Sequence, residues 1–460
     1  MAHPIWRHAL RAGAAACALA GLPVVATAAP VATTAANTEP STEAARGPTA
    51  EPAPEPATKT GTGPTGELRL FWTGRSSSTL GPLAAANARV PGIAPVAADA
   101  LSAEAELRHT LRGTLAGTPL SLAGNLLAAH DNPAGRPAHS TLRANELYGS
   151  ADFGAWQASA GKKVIGWDVG YGFRPNDFVQ QETRRTLLST TPEGRPLLQL
   201  ERFGAEDALS LVWVNPERWN GSDDSTRGPR ESALALRAYQ RWGALDAFGF
   251  ARQGAHTGSS VGTALAWVAT DELELHASAR WLRRHDGWRI NPSAGDAPLA
   301  STPWQQTTRG PASQWLLGAN WTGALQQSVM LEYWHDGTAL PDAEWQRWGR
   351  RNQALAANRH APALALAGNL AWQARPFDAP SLRQDNLFIR LAWQPEHWTL
   401  SFDALVTPSD RGRVLTAAAA WQGDHWRFNA AWRVNGGPAD ALLAQLPTRR
   451  SLLLAATRAF

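Results

Sequence analysis

The chain has 460 residues, 44% of them hydrophobic and 18% charged, and a formal net charge of only +4. Its single cysteine, Cys17, lies within residues 1–28. Without that segment, no disulfide framework or thiol chemistry is available. Beyond it, no run reaches the roughly 18 uncharged apolar residues of a spanning helix, which excludes helical membrane insertion. Basic residues alternate with acidic ones, so no nucleic-acid patch forms.

Residues 1–28 read as a secretory signal peptide. Arg7 and Arg11 supply the basic region, the run from Ala12 to Val25 is apolar, and Ala26, Thr27 and Ala28 fit a cleavage site. Ala14, Ala15 and Ala16 lack the leucine that precedes a lipidated cysteine, so Cys17 is not read as a lipid anchor. Residues 29–66 are rich in Ala, Thr, Pro, Glu and Gly and show no apolar face. Such a segment cannot bury enough surface to offset its ordering entropy and reads as a disordered periplasmic tail.

Residues 67–460 have one texture, period two, and read as a single domain. Trp398, Leu400, Phe402, Ala404 and Val406 alternate with Thr399, Ser401, Asp403 and Thr407. Trp426, Phe428, Ala430, Trp432 and Val434 alternate with His425, Arg427, Asn429 and Arg433. Leu107, Leu111 and Leu115, and later Leu273, Leu275, Ala277, Ala279 and Trp281, repeat the pattern. This is the signature of strands with one apolar and one polar face. Many segments reach about ten residues, the length of a tilted membrane-crossing strand, where soluble strands average about five or six.

Tryptophan supports the same environment. Many of the 22 indoles, among them Trp72, Trp242, Trp281, Trp321, Trp372, Trp393, Trp398, Trp421 and Trp426, fall at segment ends. Headgroup layers favour such rings. At the C-terminus Leu452, Leu454, Ala456 and Phe460 share a face, although Arg458 occupies a position that is usually apolar or Tyr. A terminal aromatic closing an alternating strand resembles Gram-negative outer-membrane β-barrels, including large porin-like or exporter-like barrels. The resemblance covers architecture and identifies no particular family. It implies the bacterial outer membrane as location, the lipid bilayer and lipopolysaccharide as surroundings, and barrel assembly machinery that reads Phe460.

The expected fold is all-β: a transmembrane antiparallel up-and-down β-barrel of about 16–18 strands. Candidate strands start near 67, 103, 118, 140, 154, 196, 207, 232, 244, 260, 272, 313, 326, 363, 385, 398, 412, 424 and 450. The odd number conflicts with both chain ends lying in the periplasm. Long loops at 164–195, 217–231, 286–312 and 338–362 belong outside, and tight turns at 395–397 and 422–424 belong in the periplasm. The two sets clash in parity around 338–384.

In such a barrel polar faces look into the lumen. Arg69, Arg108, Arg112, Arg143, Arg237, Arg241, Arg280, Arg390, Arg427 and Arg433 are the pore-lining candidates. Arginine stays charged and grips carboxylate or phosphate in a fork, so these residues favour anions. Glu106, Glu274, Glu332 and Asp403 share that face, so an internal ion-pair lattice is the competing reading. The segment 167–185 is dense in Gly, aromatics and charge, and Arg174, Asp177, Glu182, Arg184 and Arg185 are constriction-loop candidates. A packed extracellular loop is equally compatible. Residues 341–355 open on Pro and Asp and place Trp345, Trp348, Asn352 and Leu355 at helical spacing. That helix reads as a lid or plug, or as cover over neighbouring loops.

No catalytic motif, metal motif or cofactor fingerprint is present. The expected function is an outer-membrane channel or selective porin or exporter for a small or polymeric charged substrate. A non-conducting platform plugged by its loops, and an outer-membrane hydrolase with a Ser or Asp near a rim His, are the alternatives.

Overall fold

The structure is a computed structural model that describes residues 63–180, 192–216 and 230–460. Residues 1–28, read from sequence as a signal peptide, and most of 29–66 lie outside the described residues, as do Glu182, Arg184 and Arg185. Eighteen antiparallel strands form one closed sheet, in which each strand pairs with its neighbours in the chain and β1 (Thr65–Ser77) closes on β20 (Thr448–Ala459). The even number and full closure are the build of an outer-membrane barrel, which leaves no backbone edge in lipid.

The wall runs β2 (Ala100–Leu115), β3 (Thr118–Pro133), β4 (His139–Phe153), β5 (Trp156–Lys163), β6 (Arg195–Phe203), β7 (Asp207–Val214), β8 (Ala233–Trp242), β9 (Leu245–Gly254), β10 (Gly258–Val268) and β11 (Leu273–Leu282). A separate hairpin, β12 (His285–Ile290) and β13 (Trp304–Arg309), interrupts it. The wall resumes with β14 (Ala312–Thr322), β15 (Gln327–Asp336), β16 (Asp385–Trp393), β17 (Trp398–Thr407), β18 (Gly412–Gln422), β19 (Trp426–Gly436) and β20.

The candidate strand at 363 is a helix. Three α-helices are described, α1 (Gly81–Arg89), α2 (Asp342–Ala357) and α3 (Ala363–Trp372), with two short 3-10 turns at Arg375–Asp378 and Leu442–Gln445. Leu and Ala alternate in 363–372, which mimics a strand, but both are strong helix formers and Pro362 sits at the helix start. Leu366, Ala367 and Leu370 are its buried face, at helical spacing. Removing this segment from the wall restores the parity and leaves 18 strands. A smaller correction falls at the tail boundary, because Thr65 and Gly66 already belong to β1.

Short turns and both ends of the sheet share one rim. The β2–β3 turn uses Ala116 (φ 51°) and Gly117 (φ 82°), the left-handed pair that matches strand twist in a two-residue hairpin. The long connections share the other rim. There α2, the β12–β13 hairpin and segments around Phe377 and Leu442 bury Ile290, Trp304, Trp345, Trp348 and Leu382 together. A second cluster joins α1 to α2 and α3 through Ala86, Leu355, Leu366 and Leu370. The 341–355 helix is therefore a built-in part of a packed cap. Arg351, 1% exposed, stitches that cap by donating to Ala297 O and Asn369 Oδ1.

The outer face carries the exposed apolar side chains. Leu107 pairs with Leu126, Trp398 with Trp421, and Trp432 with Leu452, and all lie outward.

Candidate functional site

The inner face is not uniformly polar. On β9 the alternation is reversed: Ala247, Gly249 and Ala251 face out while Phe248 and Phe250 face in. With Leu197, Val212, Val214, Ala235, Ala264 and Ala266 they form an apolar patch on the inner wall. The described start of the connection between β5 and β6, residues 164–180, enters the barrel. Ile165, Trp167, Val169, Phe178 and Val179 of this loop pack on that patch. Phe248 stacks on Phe250 at 6.2 Å, and Phe250 on Trp167 at 6.3 Å.

Polar anchors fix the loop across the lumen. Glu332 of β15, fully buried, accepts the backbone N–H groups of Tyr171 at 2.7 Å and Gly172 at 2.6 Å. His276 Nε2 of β11 lies 3.1 Å from the same carboxylate. A Cβ on Gly172 would sit 2.9 Å from the Glu332 carboxylate and 3.1 Å from the Trp334 ring, so any side chain there would push one of them aside. Asp168 accepts the backbone N–H groups of Asn176 at 2.5 Å and Val169 at 2.8 Å. Asn176 in turn donates to Thr263 O. Tyr171 stacks on Phe388 at 5.7 Å, and Phe173 on Trp334 at 5.7 Å. The loop thus spans from the β6–β10 wall to β15 and β16.

The sequence-derived arginines fall into three settings. Arg69 bonds Glu67 at 2.7 Å, Glu104 at 3.2 Å and Glu106, while Arg108 bonds Glu106 at 2.8 Å. Arg241 pairs with Asp246 at 3.0 Å, and Arg143 lies 3.7 Å from Glu193. Three arginines serve the loop and its wall. Arg280 donates to Pro175 O at 3.0 Å and lies 4.3 Å over the Phe178 ring. Arg390 donates to Tyr171 Oη at 3.0 Å and pairs with Asp403 at 3.2 Å. Arg237 lies 5.1 Å over Phe248. The rest border the opposite wall: Arg433 donates to Thr416, Arg427 to Gln422, and Arg112 is exposed near the β2–β3 turn.

Of the loop candidates, Arg174 donates to Gly170 O at 2.8 Å, and Asp177 is buried. Phe460 exchanges backbone hydrogen bonds with Gly66 across the barrel seam. Sequence reasoning singled out neither Asp168 nor His276 as an anchor. Glu332 was recognised only as an inward acid, because a single acid in a strand carries no signal of a partner 160 residues away in the chain.

At the long-loop rim, Glu231 ties the start of β8 to the β9–β10 turn. It takes Arg252 at 2.9 Å and the Thr257 N–H at 2.5 Å. Burial pushes its carboxyl up, but Arg252 and Thr257 outweigh burial and hold it below the usual range. On the same rim Ser140 Oγ lies 2.8 Å from His130 Nδ1, with the pair exposed. No group of three or more His, Cys, Asp or Glu suited to a metal ion occurs among the described residues.

No protein-family model matches the chain, and no curated protein matches it. Solved structures with a similar course include substituted forms of the Rhodopseudomonas blastica porin. One shares 9% identity over 86% of this chain and 99% of the porin, with a TM-score of 0.41. A triple mutant of the same porin shares 10% identity at the same coverage and TM-score.

Proposed function

We propose that this protein is a passive outer-membrane channel for charged solutes, narrowed by the loop between β5 and β6. The carrying observation is an asymmetry inside the barrel. The loop packs on β6–β11 and reaches β15 and β16, whereas β17–β19 and the end of β2 from Arg108 on keep small and polar inward side chains with solvent access. Thr110, Arg112 and Thr114 are exposed, and Ser401, Asn429 and Arg433 are half-buried. A lane between loop and wall lined by such groups suits hydrated ions and polar solutes.

The finer reading is a preference for anions, either small acids or an acidic polysaccharide. It is supported by Arg112, Arg427 and Arg433, which border the strands that the loop does not cover. Arginine's planar fork matches carboxylate geometry.

Single-channel recording of refolded protein in a planar bilayer tests both levels. Stable steps with an anion-biased reversal potential are expected, and Arg112→Glu with Arg427→Glu should move that potential toward cations. Silence from folded, heat-modifiable protein would sink the channel reading in favour of a plugged platform. The exposed Ser140–His130 pair, and the His256–Asp286 contact at 3.0 Å, are observations behind a hydrolase reading. Labelling by a fluorophosphonate that Ser140→Ala abolishes would support that alternative.

A further inference from the structure

Two arginines at the long-loop end of β11 stand apart from the ion pairs of that rim. Arg283 and Arg284 follow Leu282 and are both exposed, and their side chains make no hydrogen bond or ion pair among the described residues. Other arginines of the rim are matched by carboxylates: Arg252 by Glu231 at 2.9 Å, Arg383 by Asp410 at 3.0 Å, and Arg309 by Glu344. The acid nearest in sequence, Asp286, is engaged by His256 Nε2 at 3.0 Å and by the Thr308 hydroxyl at 3.2 Å. The two arginine side chains also converge. Gly258, buried at the start of β10, has φ 74°. A Cβ there would lie 3.3 Å from Arg284 Nη2 and 3.9 Å from Arg283 Cδ, so both side chains flank this one glycine. Like charges held this close repel one another, and an oxyanion between them would take donors from both guanidinium forks.

The height of the pair on the wall selects the carrier of that anion. Arg283 donates its backbone N–H to Ser259 O, which continues the β10–β11 ladder by one step. Leu282 is buried on the inner face and Trp281 is exposed on the outer one, so the alternation turns Arg283 outward. Directly below it on the outer face, Trp281 pairs with Val261, and both are exposed. Leu265 and Leu317 continue the exposed apolar wall further down. Beside Arg283 the surface turns polar, with Ser259 donating to Gln253 Oε1 at 2.7 Å. The wall therefore passes from apolar to polar at Arg283, and the Trp281 indole marks a headgroup layer. On an outer-membrane barrel the rim of long loops is the extracellular one.

We propose that Arg283 and Arg284 form a binding site for the phosphate group of an outer-leaflet lipid, whose acyl chains lie on Trp281, Val261 and the apolar wall below. A free anion would satisfy the same two charges but leave that wall unused, whereas a lipid phosphate engages both. The long stems of the arginines suit this position, since they cover apolar surface while the charged heads stay at the polar layer. Two guanidinium groups supply the attraction, so no divalent cation is needed to hold the phosphate. The site lies on the outside of the barrel. It rests on the outer-membrane placement of the wall and does not depend on the channel reading.

The test titrates the refolded full chain with diphosphoryl lipid A, in neutral detergent with EDTA present, and counts bound lipid by native mass spectrometry. Saturable binding is expected, about ten-fold tighter than for lipid A stripped of its phosphates. No saturable binding, or equal affinity for the two lipids, would overturn the proposal, and neither result depends on a variant folding. Arg283→Gln with Arg284→Gln should weaken binding about ten-fold while heat-modifiability is retained. Arg347→Gln with Arg350→Gln makes the same charge change on the exposed side of α2 and should leave binding as it was. Equal loss in the two pairs would trace the attraction to net charge and overturn the proposal. Inorganic phosphate that displaces the lipid at equal concentration would overturn it too, by assigning the pair to a free anion.

Discussion

Glu332 holds Tyr171 by its backbone, through a 2.7 Å hydrogen bond buried in the middle of the barrel. The carboxylate also takes the neighbouring N–H of Gly172 and faces His276, so it is the central peg of the inward loop. Removing one partner of a buried charged contact costs about 3–5 kcal/mol, because the other groups stay desolvated. Glu332→Ala should therefore free the 168–176 segment while the wall remains closed. The expected result is a larger and noisier single-channel current with heat-modifiability retained. An unchanged current would mean that the aromatic stacks alone position the loop.

Gly172 gives a second handle on the same peg. Gly172→Ala drives a methyl group against the Glu332 carboxylate and the Trp334 ring. Overpacking of this kind costs roughly 1–3 kcal/mol. The loop should shift, with faster proteolysis in the 164–194 connection than in the unaltered protein. Equal proteolysis would show that the loop absorbs the methyl group without moving.

These anchors mark where sequence reading succeeded and where it stopped. Period-two patterning made the strands legible, because lipid on one side and polar groups on the other impose it at every step. It misread 363–372, where alternating Leu and Ala satisfy a strand template and a helix equally well. It also gave no warning that Phe248 and Phe250 point inward. The apolar-outward rule assumes a wet lumen, and on β9 the inner wall instead receives Trp167 and Phe178. The density of Gly, aromatics and charge in 167–185 marked this segment but left an inward constriction and a packed extracellular loop equally open; its described part, 167–180, packs inside the barrel. Its partners were invisible, since Glu332 and Arg390 are remote in sequence and look like any other inward charge.

Acid should loosen the long-loop rim before the wall. Asp410, in the β17–β18 turn, accepts the Leu442 N–H at 3.0 Å, the Gly412 N–H at 3.0 Å and the Thr407 hydroxyl at 2.6 Å, and pairs with Arg383 at 3.0 Å. Burial pushes the carboxyl up, but these donors outweigh burial and hold it below its ordinary value of 3.8. A depressed folded-state pKa contributes stability that is fully present above the unfolded value and lost as pH falls through the folded one. Amide exchange of the 437–447 connection, relative to the intrinsic rate at each pH, should be flat from neutral pH to about 4 and rise below that. Asp410→Asn should raise it at neutral pH and flatten the acid response. A rise beginning near pH 6 would point to a histidine instead.

The seam of the barrel depends on a glycine. Gly66 and Phe460 exchange two backbone hydrogen bonds, and a Cβ at residue 66 would lie 2.5 Å from the Phe460 ring. Gly66→Val should push the terminal ring aside and lower the yield of heat-modifiable barrel. Deleting Phe460 should lower it further, since both hydrogen bonds are lost. If Gly66→Val assembles normally, the ring position is not needed for closure.

The cap formed by α2 should behave as a fixed structure, not as a gate. Trp345 is 4% exposed, donates its indole N–H to Leu382 O at 2.8 Å, and meets Trp348 edge-on at 5.3 Å. A gate that opened at this helix would have to expose Trp345, Trp348 and Phe377 together, against the burial of three aromatic rings. Trp345→Ala should cost about 3–5 kcal/mol of local stability. The cost should appear as rapid amide exchange and proteolysis between 338 and 384, with the barrel wall still protected. In the unaltered protein, spontaneous closing events should keep the same frequency when α2 is tethered to the β12–β13 hairpin by a disulfide between Glu344→Cys and Arg309→Cys, replacing the ion pair that joins them. Loss of closures on tethering would restore the lid reading.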